Sequence, residues 1–443
     1  MKKTIKKIAA LIVSLTMIMS IGTTILATDL EDGEVGGFAP NNQDTPTVYS
    51  DETVTILKEL KAYNKDEGTI NAPTISYTYT VGAGGVKSIT DQPDDHASDE
   101  AVQVNTKAGV LTGLKVNNTT GSTGVIEWTT DDTLDAAEHG TANTKPLTID
   151  FSEVVFGEPG VYRYVISEAL TDAQDTYDKA GVTETSDAAG GHTRYLDVYV
   201  KAADTDFTTG NTADEWEIYG FVCLYDNVDV TPDTVKINGF VEGQNTDGDN
   251  VTADSYYTYN VTVSKTLTND NYNMNHEFPM EIVLTNDSVT NDILISASVS
   301  GNATDYAHAA GAVSSLGGTA KIASGSSIKY IGIPCGTTFE VTEENDVIGV
   351  TYLTTATLDE GESTEATYTK VVAPADVSDT VSFAPEKDEA DGIAHTVEFE
   401  NVLQMISPTG VIVRSAPYIL LLGTGVALFV LSRSFKKKEE KDI

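Results

Sequence analysis

Cysteine is nearly absent from this sequence of 443 residues, which contains only Cys223 and Cys335. The two cysteines lie far apart in the chain, one in each half. This excludes a framework of disulfide bonds as the main support of the fold. Any covalent bracing must come from another pair of side chains.

Basic residues are also scarce, because 27 Lys and Arg stand against 67 Asp and Glu, for a net charge of −40. Such a chain repels phosphates, which excludes nucleic acid as a partner. The six histidines lack metal-ligand spacing, so we predict no metal and no other cofactor. No nucleophile motif is present, and we therefore expect no enzyme activity on an external substrate. The histidines are His96, His139, His192, His276, His308 and His395.

Helical periodicity is hard to find. Alternating sequence rich in Thr, Val and Tyr, interrupted by clusters of Asp, Asn and Gly, predicts an all-β chain with long polar loops. Ten stretches are predicted as strands. They are Ile75–Val81, Leu147–Phe151, Val161–Ser167, Arg194–Val200, Glu217–Tyr225, Tyr257–Leu267, Glu281–Thr285, Ser327–Ile331, Thr338–Glu343 and His395–Asn401.

A polar run from Gly243 to Asn250 separates two sets of predicted strands. We therefore predict a first domain over residues 51–242, a linker over residues 243–254 and a second domain over residues 255–403. Residues 28–50 are rich in Gly, Asn and Asp and offer little surface to bury. We expect them to form a flexible segment.

Residues 1–27 have the layout of a secretory signal peptide. Four lysines precede an apolar run, and small residues surround Ala27, after which we expect cleavage. The prediction is export of the mature chain across the cytoplasmic membrane.

Residues 404–443 combine Pro408-Thr409-Gly410, an apolar stretch from Ala416 to Leu431 and a basic tail. The apolar stretch predicts a transmembrane helix with the tail in the cytoplasm. The order resembles a Gram-positive cell-wall sorting signal, in which a sortase cysteine attacks the Thr carbonyl, here that of Thr409. Between the two signals, 17 basic and 64 acidic residues give a mature net charge of −47.

Three strands place a polar residue where the alternation calls for a core residue. The strand that starts at Tyr257 keeps apolar residues on one face until that face reaches Lys265. The same count along two later strands ends at Glu343 and at Asn401. Buried together, these groups would each cost several kcal/mol unless they satisfied one another.

Burial makes a reaction among these three side chains possible, because it favours the neutral amine of lysine and the protonated carboxyl of glutamic acid. Lys265 can then attack the side-chain amide carbon of Asn401. Glu343 polarises the amide oxygen and shuttles protons as ammonia leaves. The expected product is an isopeptide bond between the first and last strands of the domain, which limits extension as a disulfide does.

Several segments match one known family. They are Asp150–Tyr164, Val261–Lys265, Phe339–Glu344, Val397–Asn401 and Pro408–Val411. On these segments the sequence resembles the T-antigen, FctA-type major pilins of streptococci, and the match covers most of the mature chain. The resemblance implies tandem immunoglobulin-like (CnaB/FctA-type) β-sandwich domains with internal Lys–Asn isopeptide bonds.

In the first domain the resemblance implies Lys58 and Glu168 as the amine and the carboxyl, and strand register supports both. The third member is open, because the stretch Phe240–Glu242 lacks the asparagine that the family has there. Asp254 and Asn238 are the two candidates. An aspartate partner would release water instead of ammonia.

The resemblance also implies a lysine that joins subunits, and Lys236 lies nearest to the matching position. We therefore expect a backbone pilin that a sortase polymerises at Thr409. Its partners would be the sortase, neighbouring subunits, peptidoglycan, and minor pilins or a host surface, with the membrane holding only the precursor. The alternative is a monomeric, sortase-anchored adhesin of the cell wall. Only polymerisation separates the two.

Overall fold

The computed structural model describes most of the two predicted domains. The described residues are 36–38, 52–84, 88–91, 102–172, 176–184, 193–202, 216–225, 239–242, 253–305, 310–344, 352–359, 380–385 and 394–403. Several predictions therefore fall outside the described residues. They concern the signal peptide (1–27), most of residues 28–50, Lys236, Asn238, residues 243–252 of the linker, and residues 404–443 with Pro408, Thr409 and Gly410.

The described part of the chain is almost entirely β-structure. In chain order the first strands are β1 Gly36–Phe38, β2 Thr53–Tyr63, β3 Gly68–Asn71, β4 Ile75–Ala83, β5 Ser88–Asp91, β6 Val102–Asn105, β7 Lys107–Ala108, β8 Lys115–Val116, β9 Thr119–Thr120, β10 Thr123–Trp128, β11 Thr133–Ala136, β12 Thr141–Asp150 and β13 Gly160–Leu170. The later strands are β14 Val182–Thr183, β15 Thr193–Ala202, β16 Trp216–Tyr225, β17 Asp254–Thr268, β18 Glu277–Thr285, β19 Ser296–Ser300, β20 Ala303–Thr304, β21 Gly318–Ala323, β22 Ser326–Pro334, β23 Thr338–Glu343, β24 Tyr352–Asp359, β25 Thr380–Phe383 and β26 Ala394–Leu403. Short 3-10 helices occur at Tyr177–Ala180 and Val313–Ser315.

The prediction of an all-β chain is confirmed, since all ten predicted stretches overlap a strand. Among the described residues, no helix has the length and apolar character needed to cross a membrane.

Two sheets form the first sandwich. One contains β1, β16, β15, β13, β4 and β10 in that order, and the other runs from the start of β17 through β2, β12, β8 and β9. The alternation in β2 sends Val54 and Ile56 into the core, which they share with Tyr77 and Tyr79 of β4. Lys58 comes two residues after Ile56, so the same alternation points its side chain into this core.

The second sandwich repeats this arrangement around a separate hydrophobic core. One sheet has the order β19, β22, β17, β26 and β24, and the other has the order β20, β21, β18, β23 and β25. Val261 and Val263 of β17 face Val341 of β23 within this core, and all three are fully buried.

Strand β17 belongs to both sandwiches. Its first four residues, Asp254–Tyr257, pair in parallel with Leu60–Tyr63 of β2, and the remainder pairs with β22 and β26. The junction is polar, because the buried side chains of Asn64 and Asn260 donate hydrogen bonds to each other over 3.0 Å and 2.7 Å. One uninterrupted strand thus connects the two cores.

Candidate functional site: two buried lysine clusters

The second sandwich contains a buried cluster of an amine, a carboxyl and an amide. Lys265 of β17 donates from Nζ to Glu343 Oε2 over 2.9 Å, and Asn401 of β26 donates from Nδ2 to Glu343 Oε1 over 2.5 Å. The Lys265 ammonium also lies 4.7 Å from the ring centre of Phe278. The three polar side chains are 0 to 3% exposed. The structure therefore brings together the three residues that the strand register singles out.

Pairing between strands explains this convergence. Strands β17 and β26 are parallel neighbours, with Leu267 opposite Asn401, so that Lys265 and Asn401 lie on the same inner face. Glu343 ends β23 in the opposite sheet and reaches across the core. The amine and the amide come from one sheet, and the carboxyl comes from the other.

Glu343 contacts the amide nitrogen of Asn401, whereas the sequence argument places it at the amide oxygen. A carboxylate oxygen only accepts hydrogen bonds, so it faces the N–H₂ group, which is the leaving group in the expected reaction. Burial raises the pKa of Glu343, although the charge of Lys265 and the two hydrogen bonds act in the opposite direction. A carboxyl with a raised pKa at the leaving nitrogen can hold the proton that departs with ammonia.

The first sandwich surrounds its lysine with three carboxyl groups. Lys58 Nζ donates to Glu168 Oε1 over 2.8 Å, to Asp254 Oδ2 over 2.9 Å and to Glu242 Oε1 over 3.0 Å. Lys58 is completely buried, and the carboxylate residues are 2 to 7% exposed. The two predicted members, Lys58 and Glu168, therefore meet, and Asp254 joins them.

Two tyrosines of β4 hold the carboxyl groups of this cluster. The Tyr77 hydroxyl donates to Asp254 Oδ2 over 2.9 Å, and the Tyr79 hydroxyl donates to Glu168 Oε2 over 2.5 Å. Tyr79 lies directly opposite Glu168 in the antiparallel pair of β4 and β13. Glu168 is thus oriented by a hydroxyl from the neighbouring strand, and Asp254 by a hydroxyl from the opposite sheet.

The carboxyl groups of this cluster outnumber the cations beside them. Three carboxyl groups surround the amine of Lys58, and the buried guanidinium of Arg194 lies 3.8 Å from Glu168 Oε2. Burial lowers the pKa of Lys58, but the carboxylates around it raise that pKa by more, so the ammonium form is favoured. Burial raises the pKa of Glu242 to about 7, with the charges of Glu168 and Asp254 acting in the same direction and those of Lys58 and Arg194 against it. A pKa of about 7 lets Glu242 exchange a proton near neutral pH.

Strand register gives Asp254 the same place in the first sandwich that Asn401 has in the second. Asn401 lies opposite Leu267, two residues after Lys265, and Asp254 lies opposite Leu60, two residues after Lys58. Both pairs of strands are parallel and join the first and last strands of a sandwich. The two lysines therefore face partners of equivalent geometry.

Glu242 is the member that the sequence argument misses. The bridge between Val241 and Leu57 sets Glu242 beside Lys58, and the backbone N–H of Glu59 donates to Glu242 Oε2 over 3.0 Å. The alternation of Phe240 and Glu242, both buried, was the available signal. The family resemblance implies an asparagine in this stretch, so the sequence does not mark a glutamate there as a member of the cluster.

Comparison with known proteins identifies a family only for part of the second sandwich. A family described as a domain of unknown function, DUF7601, matches residues 259–383. No curated protein matches the chain.

Solved structures of bacterial surface proteins are similar to the chain at low identity. The major pilin protein T3.2 of Streptococcus pyogenes is 20% identical with a TM-score of 0.37, over 80% of this chain and 99% of that chain. Another major pilin structure from Streptococcus pyogenes is 17% identical with a TM-score of 0.38, over the same shares. An adhesin of Mobiluncus mulieris containing disulfide, isopeptide and ester cross-links is 11% identical with a TM-score of 0.21, over 80% and 92%. These scores are too low to transfer a function, which is argued below from the chain's own residues.

Proposed function

We propose that the chain is a structural subunit of a cell-surface fibre, braced by internal isopeptide bonds and joined to its neighbours by a sortase at Thr409. The buried contact of Lys265, Glu343 and Asn401 is the observation that carries this proposal. An amine, a carboxyl and an amide in a water-poor core are costly as a permanent arrangement and are well placed to react. The chemistry is a single event within the chain, with no external substrate.

In the second sandwich, Lys265 loses a proton and its nitrogen attacks the side-chain carbonyl carbon of Asn401. Glu343 accepts a proton from the amine and delivers one to the departing nitrogen, so ammonia leaves as the amide bond forms. Both contacts of Glu343 support this double role, since one oxygen faces each nitrogen.

In the first sandwich, Lys58 forms the corresponding bond with Asp254 and releases water. The 2.9 Å contact and the equivalent register of Asp254 and Asn401 support this pairing. Glu168 takes the place of Glu343, because it reaches Lys58 from the opposite sheet.

Both bonds would join parallel neighbouring strands at the two ends of a sandwich. A force that pulls on the ends of a domain acts on these strands first, and a covalent bond between them prevents the rest of the domain from unravelling. This property suits a load-bearing subunit. It would equally brace a singly anchored adhesin, which is the second candidate.

Intact mass measurement tests the crosslinks. Recombinant residues 28–409 should weigh less than the sequence requires by one ammonia and one water. Digestion should then yield branched peptides that join Lys265 to Asn401 and Lys58 to Asp254. A mass equal to that of the sequence would refute the bracing proposal.

Wall extracts of the native host test polymerisation. Boiled in detergent, they should show a ladder that collapses to one band in Thr409→Ala and Lys236→Arg variants. Lys321→Arg changes an exposed lysine elsewhere and should leave the ladder intact. A single band from the unmodified strain would favour the monomeric adhesin. A ladder that survives Lys236→Arg alone would assign the linkage to another lysine.

A further inference from the structure

The first cluster contains one carboxyl more than the second cluster needs. Glu343 alone contacts both the amine and the leaving group in the second sandwich. In the first sandwich, Glu168 uses one oxygen for Lys58 and accepts the Tyr79 hydroxyl with the other. Glu242 contacts the same Lys58 nitrogen from a different side.

We propose that Glu242 is a second catalytic acid, which gives its proton to the hydroxyl leaving Asp254 when Lys58 becomes linked to that residue. This inference rests on the proposed Lys58–Asp254 bond and assigns a role within it. It explains why a site whose acceptor is a carboxyl has an additional proton donor.

The position of Glu242 is fixed from two directions. Its backbone N–H donates to the carbonyl of Leu57 over 3.4 Å, and its Oε2 accepts from the backbone N–H of Glu59 over 3.0 Å. These contacts leave Oε1 directed at Lys58 Nζ, which is also hydrogen-bonded to Asp254. The side chain is 3% exposed, so water does not compete for its proton.

The leaving group gives the chemical reason for a second acid. A carboxylate must first be protonated before an amine can displace oxygen from it, and hydroxide leaves only if it receives a further proton. The raised pKa of Glu242 lets it supply that proton. The Tyr77 hydroxyl also contacts Asp254, but burial raises its pKa well above the usual value, which makes it a poorer acid.

The steps balance in atoms and charge. The ammonium of Lys58 passes one proton to Asp254, which leaves a neutral amine and a carboxylic acid. The nitrogen attacks Cγ of Asp254, a C–N bond forms, and Glu168 takes one proton from the nitrogen. Glu242 then protonates the Asp254 hydroxyl, the C–O bond breaks, and water leaves as the carbonyl re-forms. Glu168 ends protonated and Glu242 ends ionised, so the total charge does not change.

Four forms of the chain 28–409 test this role: the unmodified chain, Glu242→Gln, Asp254→Asn and the double variant. Gln keeps the shape of Glu242 but has no proton to give. Removal of a general acid slows a reaction by about 100-fold or more. The mass of the purified unmodified chain should therefore show complete loss of water at the first site. The mass of purified Glu242→Gln should show incomplete loss. The loss of ammonia reports that the second sandwich of each variant has folded. Tryptophan fluorescence reports on the first sandwich, because Trp128 lies in its core and Trp216 packs against that core.

The double variant separates catalysis from structural support. With Asn at position 254 the first site has the acceptor of the second site. The departing ammonia then needs only the proton that the Lys58 nitrogen gives up to Glu168, so no second proton donor is required. Glu242→Gln with Asp254→Asn should therefore recover a bond, now with loss of a second ammonia. A double variant that stays unlinked while Asp254→Asn alone becomes linked would reduce Glu242 to a structural residue and overturn the proposal.

Two other results would also overturn it. One is water loss in Glu242→Gln at the rate of the unmodified chain. The other is a peptide map of the unmodified chain that joins Lys58 to Glu242, which would make Glu242 the acceptor while keeping a bond in the first sandwich. Complete absence of water loss from the unmodified chain would instead refute the Lys58–Asp254 bond itself, and Glu242 would lose its role with it.

Discussion

Replacement of Lys265 by methionine should remove the bond of the second sandwich without burying an unpaired charge. Methionine fills a similar volume and has neither an amine nor a charge. Asn401 and Glu343 keep their contact with each other, so the packing around the site changes little. The variant therefore isolates the effect of the bond.

The expected loss follows from the size of the loop that the bond closes. Lys265 and Asn401 lie near the two ends of the second sandwich, so the loop includes most of that domain. The chain-entropy relation used for disulfides gives about 5 kcal/mol at 25 °C for a loop of this size. For a domain of this length, that corresponds to a fall in Tm of roughly 10–20 °C.

Calorimetry of the chain 28–409 provides the measurement, with intact mass to confirm that one ammonia is retained. Lys329→Met is the matched control, because its amine contacts Asp66 at 2.7 Å in a pair about 40% exposed. Such a pair contributes less than about 1 kcal/mol. Equal transition temperatures for Lys265→Met and the unmodified chain would refute the reasoning, even if the mass showed a bond.

Three further predictions concern other contacts. Asp254→Asn should change the loss at the first site from water to ammonia, and peptide mapping should then show a Lys58–Asn linkage; an unlinked Lys58 would argue against the equivalence of the two sites. Asn260→Ala breaks the buried amide pair between the sandwiches and should lower stability by about 1–3 kcal/mol in thermal unfolding; an unchanged transition would mean that the pair is replaced by water. Burial raises the pKa of Asp270, but hydrogen bonds from Asn273, from the Tyr352 hydroxyl and from two backbone N–H groups hold the net pKa below its usual value. Its stabilising effect is therefore present above the unfolded pKa of about 3.9 and is lost as pH falls through the folded pKa. Asp270→Asn should lower Tm at pH 7 and have little effect near pH 2, and the same deficit at both values would contradict this assignment.

Strand periodicity was sufficient to predict the second cluster. Glu343 follows a regular alternation of buried residues along β23, and Lys265 follows the buried pair Val261 and Val263 after a register shift at Tyr259. Asn401 follows buried Val397 and Phe399. Counting by twos along a strand does not depend on where the strand pairs. The all-β fold followed from the same signal, because apolar alternation and turn residues are local properties.

The first cluster was only partly predictable, because its last strand comes in two pieces. Val241 pairs with Leu57, and Asp254 pairs with Leu60, so the two segments follow one another along β2. In the sequence, residues 243–252 stand between them. Register cannot be counted across such a segment. The sequence therefore left Asp254 and Asn238 as alternatives and did not include Glu242.

The continuity of β17 has a consequence for damage by proteases. With both bonds formed, a covalent route runs from Lys58 to Asp254, along β17 to Lys265, and across to Asn401. A single cut between Lys58 and Asp254, or between Lys265 and Asn401, leaves the resulting fragments tied together. Cleavage of a surface loop would then release no fragment, and only a cut within β17 itself or beyond the outer bonds would separate the two ends.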